Sequence, residues 1–475
     1  MRWVQIEPRQ PSRSRYHRVF TAEGHRGPQR GKGRRTISQT PLRSSVLSAV
    51  NNRPDRRVGR PRAGSGSGCT HLRWALPLSI VLIASVAHAD VRSVGPEGIQ
   101  AAIDGAADGD VIEVPPGVYH EHVRVDRRVT LRGRGGVLDG DGRGTVLRIA
   151  AARARVEGLT VTRSGIDIGA PDACIYVEES AQGAVLERNH LTRCAFGIWI
   201  HRTPGARVHA NHVAGRSDLR AADRGNGIHL FDASHLTVTN NVVEGARDGI
   251  YVSATDDSLI ANNRTDHQRY GIHYMYSQRN TLRGNHSSHN IGGIALMQSH
   301  DLVVEDNRAV DNERFGILFR DAQYCSIARN HLRENGQGMF FFSSTDNEIV
   351  DNELTHNDIG AKIWAGSLRN HIVGNRFIGN RQPIFFVGAR DLTVGAGGHG
   401  NYWSDYIGWD QDGDGVGEVP YRVDSLTAVL IHRYPGAVLL LRSPALELLS
   451  ELEQEMPILR VPTVVDPSPS IRSGR

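Results

Sequence analysis

Residues 271–280, GIHYMYSQRN, and residues 293–301, GIALMQSHD, hold three side chains able to ligate a soft metal: His273, Met275 and Met297. Side chains alternate across a strand, so His273 and Met275 share the side opposite Ile272 and Tyr274. Met297 takes the matching place in the second stretch. Two thioethers and one imidazole form a soft, low-coordinate donor set that suits Cu(I) over Zn²⁺ or Mg²⁺. Methionine on an outward side is unusual, because its common work is filling gaps in cores. His229 sits in an earlier stretch of the same pattern, about 10 Å away if neighbouring strands stack at ~4.8 Å.

Such stacking needs a repeat, and the chain has one. Glycine followed by an apolar residue recurs at Gly227, Gly249, Gly271, Gly293, Gly316, Gly338 and Gly360, in steps of 22 or 23 residues. Asparagine keeps the same period at Asn241, Asn263, Asn285, Asn307, Asn330, Asn352 and Asn375. Two independent markers in one period are the signature of a stacked-repeat architecture. Short alternating apolar runs between Gly, Asn, Asp and Ser read as strands. A unit near 22 residues fits three strands of about five residues, one coil of a parallel β-helix. The LxxLxLxxN order of leucine-rich repeats is absent. Asparagine at a fixed place in each coil predicts turns whose amides bond along the axis. The fold class expected is therefore all-β, a right-handed parallel β-helix, and it occupies residues 90–395.

Register then assigns faces. Inward lie Ile228/Leu230, Ile250/Val252, Ile272/Tyr274, Ile294/Leu296, Ile317/Phe319, Met339/Phe341 and Ala361/Ile363. Outward lie Trp199/His201, His229/Phe231, Tyr251/Ser253, His273/Met275, Ala295/Met297, Leu318/Arg320, Phe340/Phe342 and Lys362/Trp364. A solvated face is mostly charged and small, whereas this stripe is rich in aromatic, His and Met side chains, which marks a binding surface. Three readings compete for it: a Cu(I) site on His273, Met275 and Met297 with help from His229, a hydrophobic docking scaffold, and polysaccharide chemistry. The last needs paired carboxylates for hydrolysis, or a basic residue beside acids for lyase or epimerase action. Arg320 and Lys362 have no acid beside them on these strands, and the DPHD stretch of mannuronan epimerases is missing.

The ends read differently. GIQAAIDGAADGDVIEV predicts a short helix that plugs the first coil, and SDLRAADRGN a loop extruded from one coil. Residues 396–425 form an Asp/Gly/aromatic cap loop, with Tyr402, Trp403 and Trp409 expected to seal the last coil. Asp410, Asp412 and Asp414 have the D-x-D-x-D-G spacing of a Ca²⁺ loop, with Glu418 at position nine. Position twelve is Tyr421, so the bidentate glutamate is lacking and the bland reading is an Asp/Gly turn. In residues 426–475, Ser443 before Pro444 predicts the start of a helix of about 12 residues, followed by a Pro-rich tail.

Charge separates leader from body. Residues 1–72 carry 16 Lys+Arg against 3 Asp+Glu and show no apolar period, which predicts disorder. Residues 73–89 combine Arg73, an apolar run and Ala87-His88-Ala89, the pattern of a secretory signal peptide. Seventy-two residues ahead of such a signal point to a start site assigned too far upstream, the alternative being a genuine extension. From Asp90 onward there are 39 Lys+Arg and 48 Asp+Glu, and this acidic balance argues against nucleic acid as a partner. Cys174, Cys194 and Cys325 allow at most one internal disulfide in that part, and Cys325 falls on the inward side beside Ile327.

The 22-residue Gly-Ile/Asn coils, GNYWSDYIGWDQDGDGVGEVPY and YPGAVLLLRSPALELL together resemble the NosD family, periplasmic maturation factors of nitrous oxide reductase. The resemblance spans roughly residues 90–465. It implies a periplasmic, non-enzymatic β-helix working with an ABC transporter, made of a membrane permease and a cytoplasmic ATPase. It further implies a role in assembling the copper–sulfide centre of the apo nitrous oxide reductase, with copper from a chaperone lipoprotein. The chain has no nucleotide-binding loop of its own. The resemblance fixes no copper ligands residue by residue.

Overall fold

The computed structural model describes residues 89–364, 366–387, 392–395, 398–424, 443–456 and 462–472, with Leu430, Tyr434, Ala437 and Leu440. The expected leader, and the signal peptide apart from Ala89, lie outside the described residues.

Three parallel sheets wind into a right-handed β-helix of about 14 turns. The first holds 13 strands, from Val91–Ser93 to His371–Val373, and the second 12, from Val123–Val125 to Gln382–Phe386. The third holds 13, from Gly117–Tyr119 to Tyr402–Trp403. Ile228, Ile250, Ile272, Ile294, Ile317 and Met339 pair in register along the second sheet and are buried. The inward assignment of these residues therefore matches the observed core. Stacked β-branched and aromatic side chains cover what one coil could not cover alone.

The recurrent glycine has a packing cause. A Cβ on Gly293 would come within 2.7 Å of the carbonyl oxygen of Gly316 in the next coil. A Cβ on Gly271 would meet the Ser287 Oγ at 1.8 Å. Neither position has room for a side chain where the strand enters from the preceding turn.

The asparagine ladder is continuous. From Asn189 through Asn211, Asn241, Asn263, Asn285, Asn307, Asn330, Asn352 and Asn375 to Asn401, each Nδ2 donates to the Oδ1 of the next at 2.9–3.1 Å. Each amide also donates to a backbone carbonyl, such as Asn285 Nδ2 to Ile260 O at 2.8 Å. The last rung ends on Asp466, whose Oδ2 accepts from Asn401 N, Asn401 Nδ2 and Trp403 Nε1 at 2.7, 3.1 and 3.0 Å. A second ladder, Asn290–Asn312–Asn335–Asn357–Asn380, runs at another corner and was not anticipated.

Both ends are closed. Helix Ile99–Asp104 buries Ile99 and Ile103 against the first coil, and the Glu121 carboxylate accepts from the backbone N–H of Ile99 and Gln100. At the other end the third sheet runs on to Tyr402–Trp403, so the segment expected as a loop from residue 396 begins with another rung. Leu392–Thr393, Pro462–Asp466 and Tyr421–Asp424 then form a small mixed sheet. Trp403 is sandwiched between Phe377 and Tyr421, with ring centroids 4.3 Å away on each side. Trp409, expected to help seal this end, is exposed instead. Helix Pro444–Glu455 has the 12 residues expected, and Ser443 Oγ accepts from Leu446 N. The extruded segment carries a single 3-10 turn at Ala221–Asp223.

Cys174 and Cys194 form a disulfide, and Cys325 is a free buried thiol whose pKa burial pushes up to about 11. Among the described residues, no helix is long and apolar enough to cross a membrane.

Candidate metal centre

The outward side of the second sheet carries two side-chain columns. In one, Trp199, His229, Tyr251, His273, Ala295, Leu318, Phe340 and Lys362 follow one another in register. In the other, His201, Phe231, Ser253, Met275, Met297, Arg320 and Phe342 do so. Met275 and Met297 are therefore direct neighbours on adjacent coils, as the 22-residue step requires.

The stripe is far less open than a solvated face. His273, His229 and Met297 are only 6%, 8% and 8% exposed. Trp199, His201, Phe231, Tyr251, Phe340 and Trp364 are half-buried, while Phe342, at 38%, and Arg320 are exposed. The cause lies one residue before each glycine, a column that sequence periodicity did not bring out. Phe196, Tyr270 and Phe315 stand there and fold over the outward side. Phe315 joins Ala295, Met297 and Leu318 in an apolar cluster, with Tyr270, Met275 and Phe340 against its edge.

The same column supplies Asp248, which sequence reasoning missed. Its carboxylate is buried and accepts from His273 Nδ1 at 3.0 Å, and from Arg269 Nε and Nη2 at 2.8 and 2.5 Å. Burial alone would raise this carboxyl, but the hydrogen bonds from His273 and Arg269 hold it below the usual carboxylate range. A carboxylate only accepts, so the neutral His273 ring carries its proton on Nδ1. Its Nε2 then presents a lone pair, and this atom is buried with no hydrogen-bond partner. A ring held by a carboxylate with its second nitrogen free is the arrangement by which proteins orient metal-binding histidines. The orphaned nitrogen is thus a candidate donor atom on the strand that also carries Met275.

His229 is built otherwise. Asn226 Nδ2 donates to its Nδ1 at 3.3 Å, which places the neutral ring's proton on Nε2. Burial drives its pKa down to about 3, against the opposing field of Asp248. Tyr251 lies between the two histidines, with ring centroids 4.8 Å from His229 and 4.9 Å from His273. The structure pairs Met275 with Met297 in one column and sets His273 in the other, while His229, with its ring centroid 3.8 Å from that of Trp199, is joined to His273 through Tyr251. At the far end of the stripe, Lys362 lies over Phe340 and Trp364, and burial lowers its pKa.

In the Asp/Gly loop, oxygens of Asp410, Asp412 and Glu418 lie within 4.8 Å of one another, but Asp414 stands outside the group. Its Oδ1 turns back to accept from Val416 N at 2.7 Å. Asp410 likewise accepts from Gly413 N and Gly415 N, so these carboxylates hold their own turn.

Comparison with known proteins gives the family. A family model described as "Periplasmic copper-binding protein (NosD)" matches residues 209–408. A Pseudomonas aeruginosa protein named "Probable ABC transporter binding protein NosD" is 37% identical over 430 residues, covering 87% of this chain and 97% of its own. One of the same name from Stutzerimonas stutzeri is 32% identical over 375 residues, covering 76% and 86%. Among solved structures, a family 28 exopolygalacturonase of Yersinia enterocolitica aligns at TM-score 0.49 and 10% identity, over 65% of this chain and 78% of that one. With relatives of that identity matched along nearly their whole length, the chain belongs to the NosD family.

Proposed function

We propose that this chain is a non-enzymatic periplasmic accessory protein that handles Cu(I) as cargo during assembly of the copper–sulfide centre of nitrous oxide reductase. Its partners are an ABC transporter, the apo-reductase, and a copper chaperone lipoprotein that delivers the ion. The name of the two relatives supports the transporter partner, and the family description supports copper and the periplasm. One observation carries the reading: the unmatched, buried Nε2 of His273, whose ring is held by Asp248, on the same strand as Met275, which pairs with Met297.

The donors are His273 Nε2 and the two thioether sulfurs, a set that prefers Cu(I) to harder ions. Asp248, itself held by Arg269, orients the imidazole and leaves Nε2 as the nitrogen free to bind. Because His273 and Met297 are less than a tenth exposed, the covering side chains must part for the ion to enter or leave. Docking of a partner on the stripe is the natural trigger, and it also keeps Cu(I) from water.

The test is Cu(I) affinity by competition with a chromophoric chelator, for the wild type and a Met275→Leu/Met297→Leu variant. Leu replaces Met at a cost below ~1.5 kcal/mol, so the fold persists. Affinity should fall by more than about tenfold, as it does when a metal site loses supporting groups. Equal affinities would remove these methionines from the site.

A further inference from the structure

A different group of side chains meets at the corner that follows the third sheet. Asp266 ends strand Arg264–Asp266, His267 follows it, and His289 occupies the equivalent corner one coil on. Asp266 faces both rings, with its Oδ1 2.8 Å from His289 Nδ1 and its Oδ2 3.2 Å from His267 Nδ1. The two rings stack at 5.4 Å with an interplanar angle of 22°. One ligand atom from each of the three residues can be chosen so that all lie within 4.8 Å of one another. His267 and His289 line a surface cavity of about 520 Å³ whose wall also includes Arg224, Asp311 and Glu313.

These distances match a coordination shell. Ligand atoms bound at about 2.0–2.1 Å around a tetrahedral ion stand about 3.3 Å apart. The Asp266–His267 separation is already close to that value, and the Asp266–His289 one needs a small opening. A second feature is independent of the cluster itself. His289 Nε2 faces Asp311 Oδ2 at 3.5 Å. With Nδ1 on a metal, the ring's remaining proton sits on Nε2 and points at that carboxylate, the second-shell arrangement that fixes metal-bound histidines.

We propose that Asp266, His267 and His289, with Asp311 as a positioning residue, form a surface site for a divalent ion of borderline softness, Zn²⁺ or Cu²⁺. Two imidazoles and a carboxylate suit such ions and lack the sulfur that Cu(I) favours. The site sits on another sheet from the His273–Met275–Met297 group and does not depend on it. It gives the molecule one place for an oxidised or redox-inert ion and another for a reduced one.

The experiment titrates the full chain with Zn²⁺ and with Cu²⁺ separately, following heat and, for Cu²⁺, the electron paramagnetic resonance spectrum. The wild type should bind one equivalent, with superhyperfine splitting from two nitrogens in the Cu²⁺ spectrum. His267→Gln/His289→Gln should weaken both ions by more than about tenfold and remove the two-nitrogen pattern, while circular dichroism stays that of the wild type. Asp311→Asn should weaken them less. Met275→Leu/Met297→Leu should leave Zn²⁺ and Cu²⁺ binding unchanged, which separates this site from the Cu(I) reading. Equal affinities of wild type and the histidine double variant, or no binding of either ion, would overturn the proposal.

Discussion

The interior asparagine ladder and the outward histidine column are both buried polar lines along the same axis, yet they are finished differently. In the ladder every described amide donates to the next rung and to a backbone carbonyl, and Asp466 takes up the last donors. On the outward side, Trp199 Nε1, Asn226 Oδ1, His229 Nε2, His273 Nε2 and Gln337 Oε1 have no partner, five of the eight such side-chain atoms among the described residues. Leaving a buried polar atom unmatched costs about 1–3 kcal/mol. The fold matches its amides rung after rung in one place and leaves five orphans in another, and this contrast is what the Cu(I) proposal rests on.

The comparison can be broken at the ladder first, where the largest effect is expected. Asn285→Ala strips acceptors from Asn263 N and Nδ2 and a donor from Asn307 Oδ1. At about 1–3 kcal/mol for each orphaned group, the loss is about 4 kcal/mol in urea unfolding. A loss under ~1 kcal/mol would show that the rungs do not depend on one another. Next is Asp248→Asn, which removes the charge that Arg269 and His273 share. Arg269 keeps partial access to water, so the expected loss is about 2 kcal/mol, below that for a fully buried pair. Cu(I) affinity should fall 10–100-fold with it, as when a metal-bound histidine loses its carboxylate; an unchanged affinity would detach Asp248 from the site.

The smallest effect is a pH dependence. His229 is depressed from 6.5 to about 3 in the folded state, so below 6.5 the unfolded chain takes up a proton that the folded one refuses. Its contribution is complete above 6.5 and is lost as pH falls toward 3. Between pH 7 and pH 5.5 this amounts to about 1 kcal/mol, one unit of pH below the unfolded value. His229→Phe keeps a ring in the stack and should flatten that slope; an identical slope would mean the ring is protonated or hydrated where it lies.

Much of this was legible in the sequence because a 22-residue step turns chain distance into vertical neighbourhood. Met275 and Met297 could be paired on paper, and so could the inward column from Ile228 to Met339. Asp248, Tyr270 and Phe315 could not, because they precede the glycine, where the strand enters from a turn and simple alternation no longer assigns a side. Their column pairs in register, Asp248 with Tyr270 and Gly292 with Phe315, so extending the alignment one residue upstream would have found it. The burial of the stripe stayed hidden for the same reason. Asp466 carried no signal at all: it lies in a Pro-rich tail, and its partner Asn401 is 65 residues away.

That return of the tail has a mechanical outcome. Tyr421–Asp424 and Pro462–Asp466 pair antiparallel, so helix Pro444–Glu455 hangs on an excursion tethered at both feet. One foot holds the carboxylate on which the ladder ends. Whatever displaces that foot removes the acceptor of Asn401 and Trp403 together, and so unseats the final rung and the ring packed beneath it at once.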